Sequence, residues 1–192
     1  MTSKDHIRSE ILKNRDAIPP QVRRAKGSAI KERLFSLREF KEAKKILFYA
    51  SFKTEVETSG MIADSLSTGK KVMLPKVDME SSSLKIYEIT GLEELQAGYM
   101  GIPEPASSPD KLRAADDADL VVMPGAAFDE HGGRLGYGKG YYDKMLSGMK
   151  KETLLIALAY EEQITGEIPI ESHDTRVDAI ITDTRVIWTG KR

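Results

Sequence analysis

"DLVVMPGAAFDEHGGRLGYGKGYYDKML", residues 119 to 146, joins an apolar run, a glycine-rich loop and a helix-like segment. The run "DLVVMP" is short, apolar and closed by Pro124, so it reads as a buried strand. "GKGYYDKMLSGMK", which follows the loop, reads as a helix. Strands that alternate with helices need crossover connections, and crossovers give a mostly parallel sheet covered on both faces. The same beat recurs along the chain. "KKILFYA" (44 to 50) precedes the helix-like "EVETSGMIADSLSTG". "KKVMLP" (70 to 75), "LKIYEI" (84 to 89), "LLIALAY" (154 to 160) and "DAIITDTRVIW" (178 to 188) are further apolar runs that read as buried strands. At the N-terminus, "SKDHIRSEILKNRDA" carries Ile7, Ile11 and Ile18 at near-helical spacing before Pro19 and Pro20 stop the helix, and a second helix is predicted from about Gln21 to Leu37. "AGYMGIPEPASSPDK" (97 to 111) reads as a surface loop. The fold class expected is α/β: a three-layer α/β/α sandwich on an open, mostly parallel sheet, with residues 1–192 forming a single domain.

Composition narrows the chemistry. At 192 residues, 40% hydrophobic and 31% charged, the chain suits one well-filled core. The absence of Cys excludes disulfides, thiolate nucleophiles and cysteine-rich zinc sites. No apolar stretch is long enough to span a bilayer, the longest being Leu154 to Tyr160, so no membrane partner and a cytoplasmic location are expected. Charge is uneven: residues 1 to 45 hold 13 Lys and Arg against 6 Asp and Glu. That asymmetry points to an anionic partner near the N-terminus, although two surface helices with solvated basic faces give the same count. Nucleic acid is not expected as a partner, because the isoelectric point is about 6.3 and no binding motif is present.

Five glycines fall within the nine positions from Gly132 to Gly140, interleaved with Arg134, Tyr137 and Lys139. Glycine at this density means that the main chain comes close to something or takes up positive φ. "GRLGYGKG" nearly fits GxxxxGK[ST], but Gly140 stands where the hydroxyl residue would be, and Tyr141 breaks the alternative GxGxxG. Amides freed by glycine, a lysine and a helix start near Gly140 can still form an anion cradle, at the sheet edge where open α/β folds bind ligands. A flexible turn with a helix cap is the plainer alternative. If the anion is a nucleotide, Mg²⁺ needs one or two carboxylates. Asp143, just inside the helix, and Asp174 in "ESHDTRVD" are the candidates. His6, His131 and His173 form no HxxxH pair, so zinc is not expected.

The motif "MPGAAFDEHGGRLGYGKGYYDKML", with "SFKTEVET" and "GIPEP" upstream and "LALAYEEQI" and "HDTRVDAIIT" downstream, resembles the 5-formyltetrahydrofolate cyclo-ligases over nearly the whole chain. The resemblance implies a sheet of the phosphosugar-isomerase and CoA-transferase type. It also implies an enzyme that uses ATP and Mg²⁺ to close 5-formyltetrahydrofolate into 5,10-methenyltetrahydrofolate, through phosphorylation of the formyl oxygen, with release of ADP and phosphate. Folate and ATP are then the small-molecule partners, and the chain is expected to act as a monomer. Carried over by position, the nucleotide contacts fall on Lys4, Asp5, His6, Ile7 and Arg8, and on Arg134, Leu135, Gly136, Tyr137, Gly138, Lys139, Gly140, Tyr141 and Tyr142. The folate contacts fall on Ala50, Glu55, Tyr137, Gly138, Lys139, Gly140 and Tyr141. Asp143 and Asp174 become the metal ligands, and Lys139 and Arg134 the catalytic residues. Two positions depart from the family: Tyr137 stands where some members carry Arg, and Ala50 where others carry a larger apolar residue. Two other readings share the same sheet and loop. One is a nucleotide- or phosphosugar-binding protein without ligase activity, which needs no carboxylates at the phosphates. The other is a sugar-phosphate isomerase, which needs no ATP.

Overall fold

The computed structural model describes residues 3–149, 152–171 and 174–190, which leaves His173 outside the described residues. Its centre is the five parallel strands that the apolar runs predict. In chain order they are β1 (Lys45–Leu47), β2 (Lys71–Asp78), β7 (Leu120–Met123), β10 (Leu154–Leu158) and β11 (Ala179–Ile181). Three strands extend this core antiparallel: β3 (Ser83–Ile89), β6 (Leu112–Arg113) and β12 (Val186–Trp188). The sheet order is β12-β11-β10-β7-β1-β2-β3-β6. Two small pairs lie outside it, β4 (Leu95–Ala97) with β5 (Pro103–Pro105), and β8 (Ala127–Phe128) with β9 (Arg134–Leu135).

Burial on both faces explains why these runs are continuously apolar rather than alternating. Ile46, Val72, Leu74, Leu120, Val122, Ile156 and Leu158 pack into one cluster, while their neighbours Leu47, Met73, Val121, Met123, Leu155 and Ala157 pack into another. Successive side chains point to opposite faces, so each cluster takes every second residue. The first cluster lies under α2 (Pro20–Ser36), α3 (Arg38–Glu42) and α4 (Ser59–Ser67), which contribute Ile30, Leu34, Phe40, Met61 and Ile62. The opposite face is covered more thinly, by Leu146 of α5 (Tyr141–Leu146), Phe128 of β8 and Met145. α1 (Ser3–Asp16) ends before Pro19, and Pro20 opens α2, as the sequence predicts.

Two segments differ from expectation. "DAIITDTRVIW" is a hairpin of β11 and β12 rather than one strand: Thr182 Oγ1 accepts the Thr184 and Arg185 amides at 3.2 and 3.0 Å, and this side-chain turn ends the ladder. The segment "AGYMGIPEPASSPDK" is not a plain surface loop. It contributes β4's last residue and β5, buries Glu104, and accepts the Val77 amide on that carboxylate at 3.2 Å.

Candidate active site

The strand order places a crevice between β1 and β7. From β1 the chain builds outward through β2, and from β7 it builds the other way through β10 and β11, so the loops leaving the two strands diverge. Divergence at the carboxyl ends of parallel strands leaves an opening that ligands use. A cleft of about 480 Å³ lies there. Tyr49, Ala50 and Glu55, beyond β1, form one wall; Pro124, beyond β7, with Arg134, Gly136, Tyr137 and the run from Lys139 to Asp143, contributes another; Tyr99, Met100, Ile102 and Glu104 close a third side. Tyr99 and Tyr141 meet edge to face across the rim, with ring centroids 6.4 Å apart.

The glycine-rich stretch divides into two parts with different physical roles. Its first part is the β8–β9 hairpin, tied by Asp129. One oxygen of Asp129 accepts the amides of His131 (2.9 Å) and Gly133 (2.8 Å), and the other accepts the amide of Ile168 (2.8 Å). A Cβ at Gly133 would collide with that carboxylate. The second part, Gly136 to Gly140, is the lip of the cleft. Gly138 and Gly140 have φ of +89° and +65° and open space where a side chain would start, so here glycine serves the backbone conformation. Lys139, between them, is exposed and lines the cleft.

Arg134 connects the two parts. Its side chain is only 2% exposed, and Nη2 pairs with Asp143 at 2.5 Å. The guanidinium carbon sits 5.8 Å from the centroid of the Tyr142 ring. Nε, also buried, has no hydrogen-bond partner among the described residues. Buried donors are nearly always satisfied, so an unused N–H in a cleft wall marks a place for an acceptor from outside the chain. Burial pushes the Tyr142 hydroxyl well above the ordinary phenol range, which keeps it neutral.

Glu55 faces the same cleft. Its Oε1 accepts the Tyr137 hydroxyl at 2.5 Å and its Oε2 the Phe52 amide at 2.8 Å. Burial raises its carboxyl above the usual range, opposed by the hydrogen bonds from Tyr137 and Phe52 and by the charge of Arg15. Burial likewise raises the Tyr137 hydroxyl, with the Glu55 charge adding to the effect.

The N-terminal segment reaches the outer side of the lip. Ile7 and Ile11 of α1 pack on Ala127, Leu135 and Ile168. Arg8 Nε then donates to the Gly136 carbonyl at 2.8 Å, and its Nη1 pairs with Asp5 at 2.6 Å. Lys4 pairs with Asp174 at 2.6 Å and with Glu171 at 2.9 Å. Burial opposes the charge on Lys4, but the two carboxylates outweigh it and raise its ammonium. His6 is exposed and 3.9 Å from Glu10. The structure thus brings Arg8 to the loop and Lys4 to Asp174, while Lys4 to Arg8 and Asp174 are not among the residues lining the cleft. Ile7 and Leu135 turn their side chains into the core, so only their main chain is available to a ligand. Among the described residues no cluster of three or more metal-ligating side chains forms. The oxygen donors of Asp143 and Asp174 still match the one or two carboxylates that Mg²⁺ takes from a protein, each now held by a cation.

Three parts of the cleft escaped the sequence reading. Arg15 and Glu104 are buried charges on its wall, and Met100 holds a left-handed φ of 54° at its rim. The "EP" of "GIPEP" was the available signal for Glu104; nothing local marked Arg15.

Comparison with known proteins places this architecture. The sequence profile of the 5-formyltetrahydrofolate cyclo-ligase family matches residues 1–183. The mitochondrial 5-formyltetrahydrofolate cyclo-ligase of Arabidopsis thaliana is 33% identical, over 94% of this chain and 74% of its own. The Mus musculus enzyme of the same name is 29% identical, over 94% and 93%. The solution structure of Aquifex aeolicus 5,10-methenyltetrahydrofolate synthetase superposes with a TM-score of 0.86 at 31% identity, covering 98% of this chain and 93% of that one. A Mycoplasma pneumoniae synthetase shares the fold, with a TM-score of 0.76 at 22% identity over 95% and 99%.

Proposed function

This chain belongs to the 5-formyltetrahydrofolate cyclo-ligase family and converts 5-formyltetrahydrofolate to 5,10-methenyltetrahydrofolate, and we propose that it does so by ATP-dependent phosphorylation of the formyl oxygen in the β1–β7 cleft. An amide oxygen leaves poorly. Transfer of the γ-phosphoryl group to it makes a phosphate ester that can leave; N10 then attacks the formyl carbon, the carbon–oxygen bond breaks, and the N10 proton is lost as the ring closes. No protein nucleophile is required, which suits a chain without Cys. Positioning and charge neutralisation are what such a transfer asks of the protein.

The observation that carries this reading is the buried Nε–H of Arg134, without an acceptor among the described residues, next to a lip of positive-φ glycines. That donor fits a phosphoryl oxygen. Lys139, exposed on the lip, is assigned to follow charge as it moves onto the transferring group. The amides of Gly136 to Gly140 and the segment Lys4 to Arg8 complete the nucleotide side. Glu55, Ala50 and the tyrosines 137 and 141 face the folate, with the Glu55 carboxylate accepting N–H groups of the reduced pterin. Asp143 and Asp174 are assigned to Mg²⁺, which when bound neutralises phosphate charge. The aromatic rim of Tyr99 and Tyr141 keeps water from the activated carbon. The chain is proposed to work as one cytoplasmic, monomeric domain; among the described residues no helix is long and apolar enough to cross a membrane.

Stoichiometry tests the proposal. With ATP, Mg²⁺ and 5-formyltetrahydrofolate, ADP should appear one-for-one with methenyl product and should require the folate. Equal ADP release without folate, or product formed without ATP, overturns it.

A further inference from the structure

Arg15 is 5% exposed, yet among the described residues no carboxylate pairs closely with it: its ion-pair contact, to the exposed Asp16, is 4.0 Å long. Its hydrogen bonds go to neutral hydroxyls instead. Nε donates to Thr54 Oγ1 at 3.1 Å and Nη1 to the Tyr137 hydroxyl at 2.7 Å, with the guanidinium carbon 5.7 Å from the Tyr137 ring centroid. A guanidinium has only donors, so the Tyr137 oxygen must accept from it. The phenol proton then has one partner left, and it points at Glu55 Oε1, 2.5 Å away.

We propose that Arg15 is a positioning residue which, through the Tyr137 hydroxyl, holds Glu55 oriented and ionised for the folate. This rests on the assignment of Glu55 to the folate made above. The intervening phenol matters. A guanidinium bound directly to Glu55 would occupy the carboxylate and compete with the ligand's N–H groups, whereas the hydroxyl takes one lone pair. With the Phe52 amide on the other oxygen, two of the four lone-pair directions remain for a ligand. Tyr137 suits this role, since 45% of its surface is exposed along the lip while its hydroxyl is hydrogen-bonded to both Arg15 and Glu55. The other ionisable groups around Glu55 are Tyr49, beyond β1, Tyr142, on α5, and Tyr160, whose hydroxyl meets the Glu55 carbonyl at 3.3 Å; the cations Lys53, Lys139 and Arg134, the carboxylates Asp16, Glu104 and Asp143, and Tyr99 and Tyr141 line the same cleft. Burial keeps the three tyrosines above their ordinary range and therefore neutral, so the Tyr137 hydroxyl, the Phe52 amide and Arg15 are what favour charge on Glu55, and of these Tyr137 and Arg15 are side chains.

The experiment measures KM for 5-formyltetrahydrofolate, kcat, and equilibrium folate binding between about pH 5 and 9 for Tyr137→Phe, Arg15→Met, Arg15→Lys and Glu55→Gln. Losing a hydrogen bond to a charged group should raise KM for folate in Tyr137→Phe by about 10-fold or more, with a much smaller change in kcat. The hydroxyl favours the ionised carboxylate, so its removal raises the Glu55 pKa and folate binding should be lost at a higher pH on the acid side. Arg15→Met should move the limb the same way, and Arg15→Lys should restore part of it. Glu55→Gln should weaken binding, abolish the limb, and make Tyr137→Phe silent when the two are combined. Unweakened folate binding by Glu55→Gln removes the assignment of Glu55 itself. Weakened binding there, with wild-type KM and acid limb in Tyr137→Phe, overturns the relay while Glu55 stands. A raised KM with an unmoved limb makes the hydroxyl an ordinary folate contact and overturns it too. Should Arg15→Met not fold, Tyr137→Phe decides alone, because its ring and backbone are retained.

Discussion

The two parts of the glycine-rich stretch, Asp129 to Leu135 and Gly136 to Gly140, share a composition and differ in what their glycines do. In the first, a buried carboxylate collects three amides and leaves no room for a side chain at Gly133. In the second, a side chain at Gly138 or Gly140 would meet open space, and what the two glycines supply is an unusual backbone. The difference teaches that glycine density marks backbone demand without saying whether a protein group or a ligand makes the demand. Substitutions should separate the two: changes in the hairpin should act on stability, and changes in the lip on turnover.

The largest effect is expected from Asp129→Ala. Asp129 is 1% exposed, and its loss leaves the amides of His131, Gly133 and Ile168 without acceptors. Each buried orphan costs about 1–3 kcal/mol, so the sum takes away a large part of a typical domain's stability. Thermal or urea unfolding should show a loss of at least about 3 kcal/mol. A melting temperature within a few degrees of wild type would mean that the hairpin carries none of the stability assigned to it.

Lys139→Ala should reverse the pattern. Loss of one charge-stabilising contact in the transition state typically lowers kcat by about 10² to 10³, and an exposed lip residue should leave the unfolding curve in place. Asp143→Asn sharpens the contrast. The amide retains the shape beside Arg134, avoiding the bare buried guanidinium that alanine would leave, and a weakened metal site should respond to added Mg²⁺. A Mg²⁺ titration that rescues both variants alike, or a near-normal kcat for Lys139→Ala, would reverse the two assignments.

The glycines themselves give a smaller, paired test. Gly133→Ala forces a methyl group against the Asp129 carboxylate in a buried turn, and should cost about 2 kcal/mol or more of stability. Gly138→Ala meets open space and suffers only the strain of φ +89°, about 1 kcal/mol, which an exposed lip can relax. Its expected signature is a several-fold rise in KM for ATP with little change in melting temperature. Equal melting temperatures for both variants would erase the distinction between hairpin and lip.

Much of this architecture was legible in the sequence because it rests on local chemistry. Short apolar runs such as "DLVVMP" are continuous since both faces of the sheet are buried, and Pro19 and Pro20 separate α1 from α2 by their missing amide protons. The position of the loop followed from the carboxyl-edge rule. What stayed hidden depends on contacts distant in sequence. Arg15 lies 122 positions from the hydroxyl that it binds, and nothing in "KNRDA" marks it as buried. The same holds for the cation on one of the two proposed metal carboxylates: Lys4 is 170 positions from Asp174. Glu104 was obscured because Pro and Gly around it signal a turn, and a turn can also fold inward over a cleft.

That distant pair sets the smallest expected effect. Lys4 and Asp174 are about one-fifth exposed, at 19% and 21%, and ion pairs in such positions contribute about 0–1 kcal/mol. Lys4→Met should therefore hardly move the unfolding midpoint. The pH dependence fits this: a raised ammonium lends stability that is complete below its unfolded value and is lost only as pH rises through the folded one, so the small deficit of Lys4→Met should be constant around neutrality and vanish only at strongly alkaline pH. Function should respond more than stability, in two opposed directions. If Lys4 serves the nucleotide phosphates, KM for ATP should rise a few-fold. If Asp174 serves Mg²⁺, removing the ammonium at 2.6 Å takes away a competitor, and the Mg²⁺ concentration for half-maximal rate should fall at saturating ATP. Measuring both constants in one series of titrations distinguishes the outcomes. A rise in both would mean that Lys4 supports the metal site rather than competing with it, and no change in either would return the N-terminal segment to a solvated basic face that does no more than pack Ile7 and Ile11 against the hairpin.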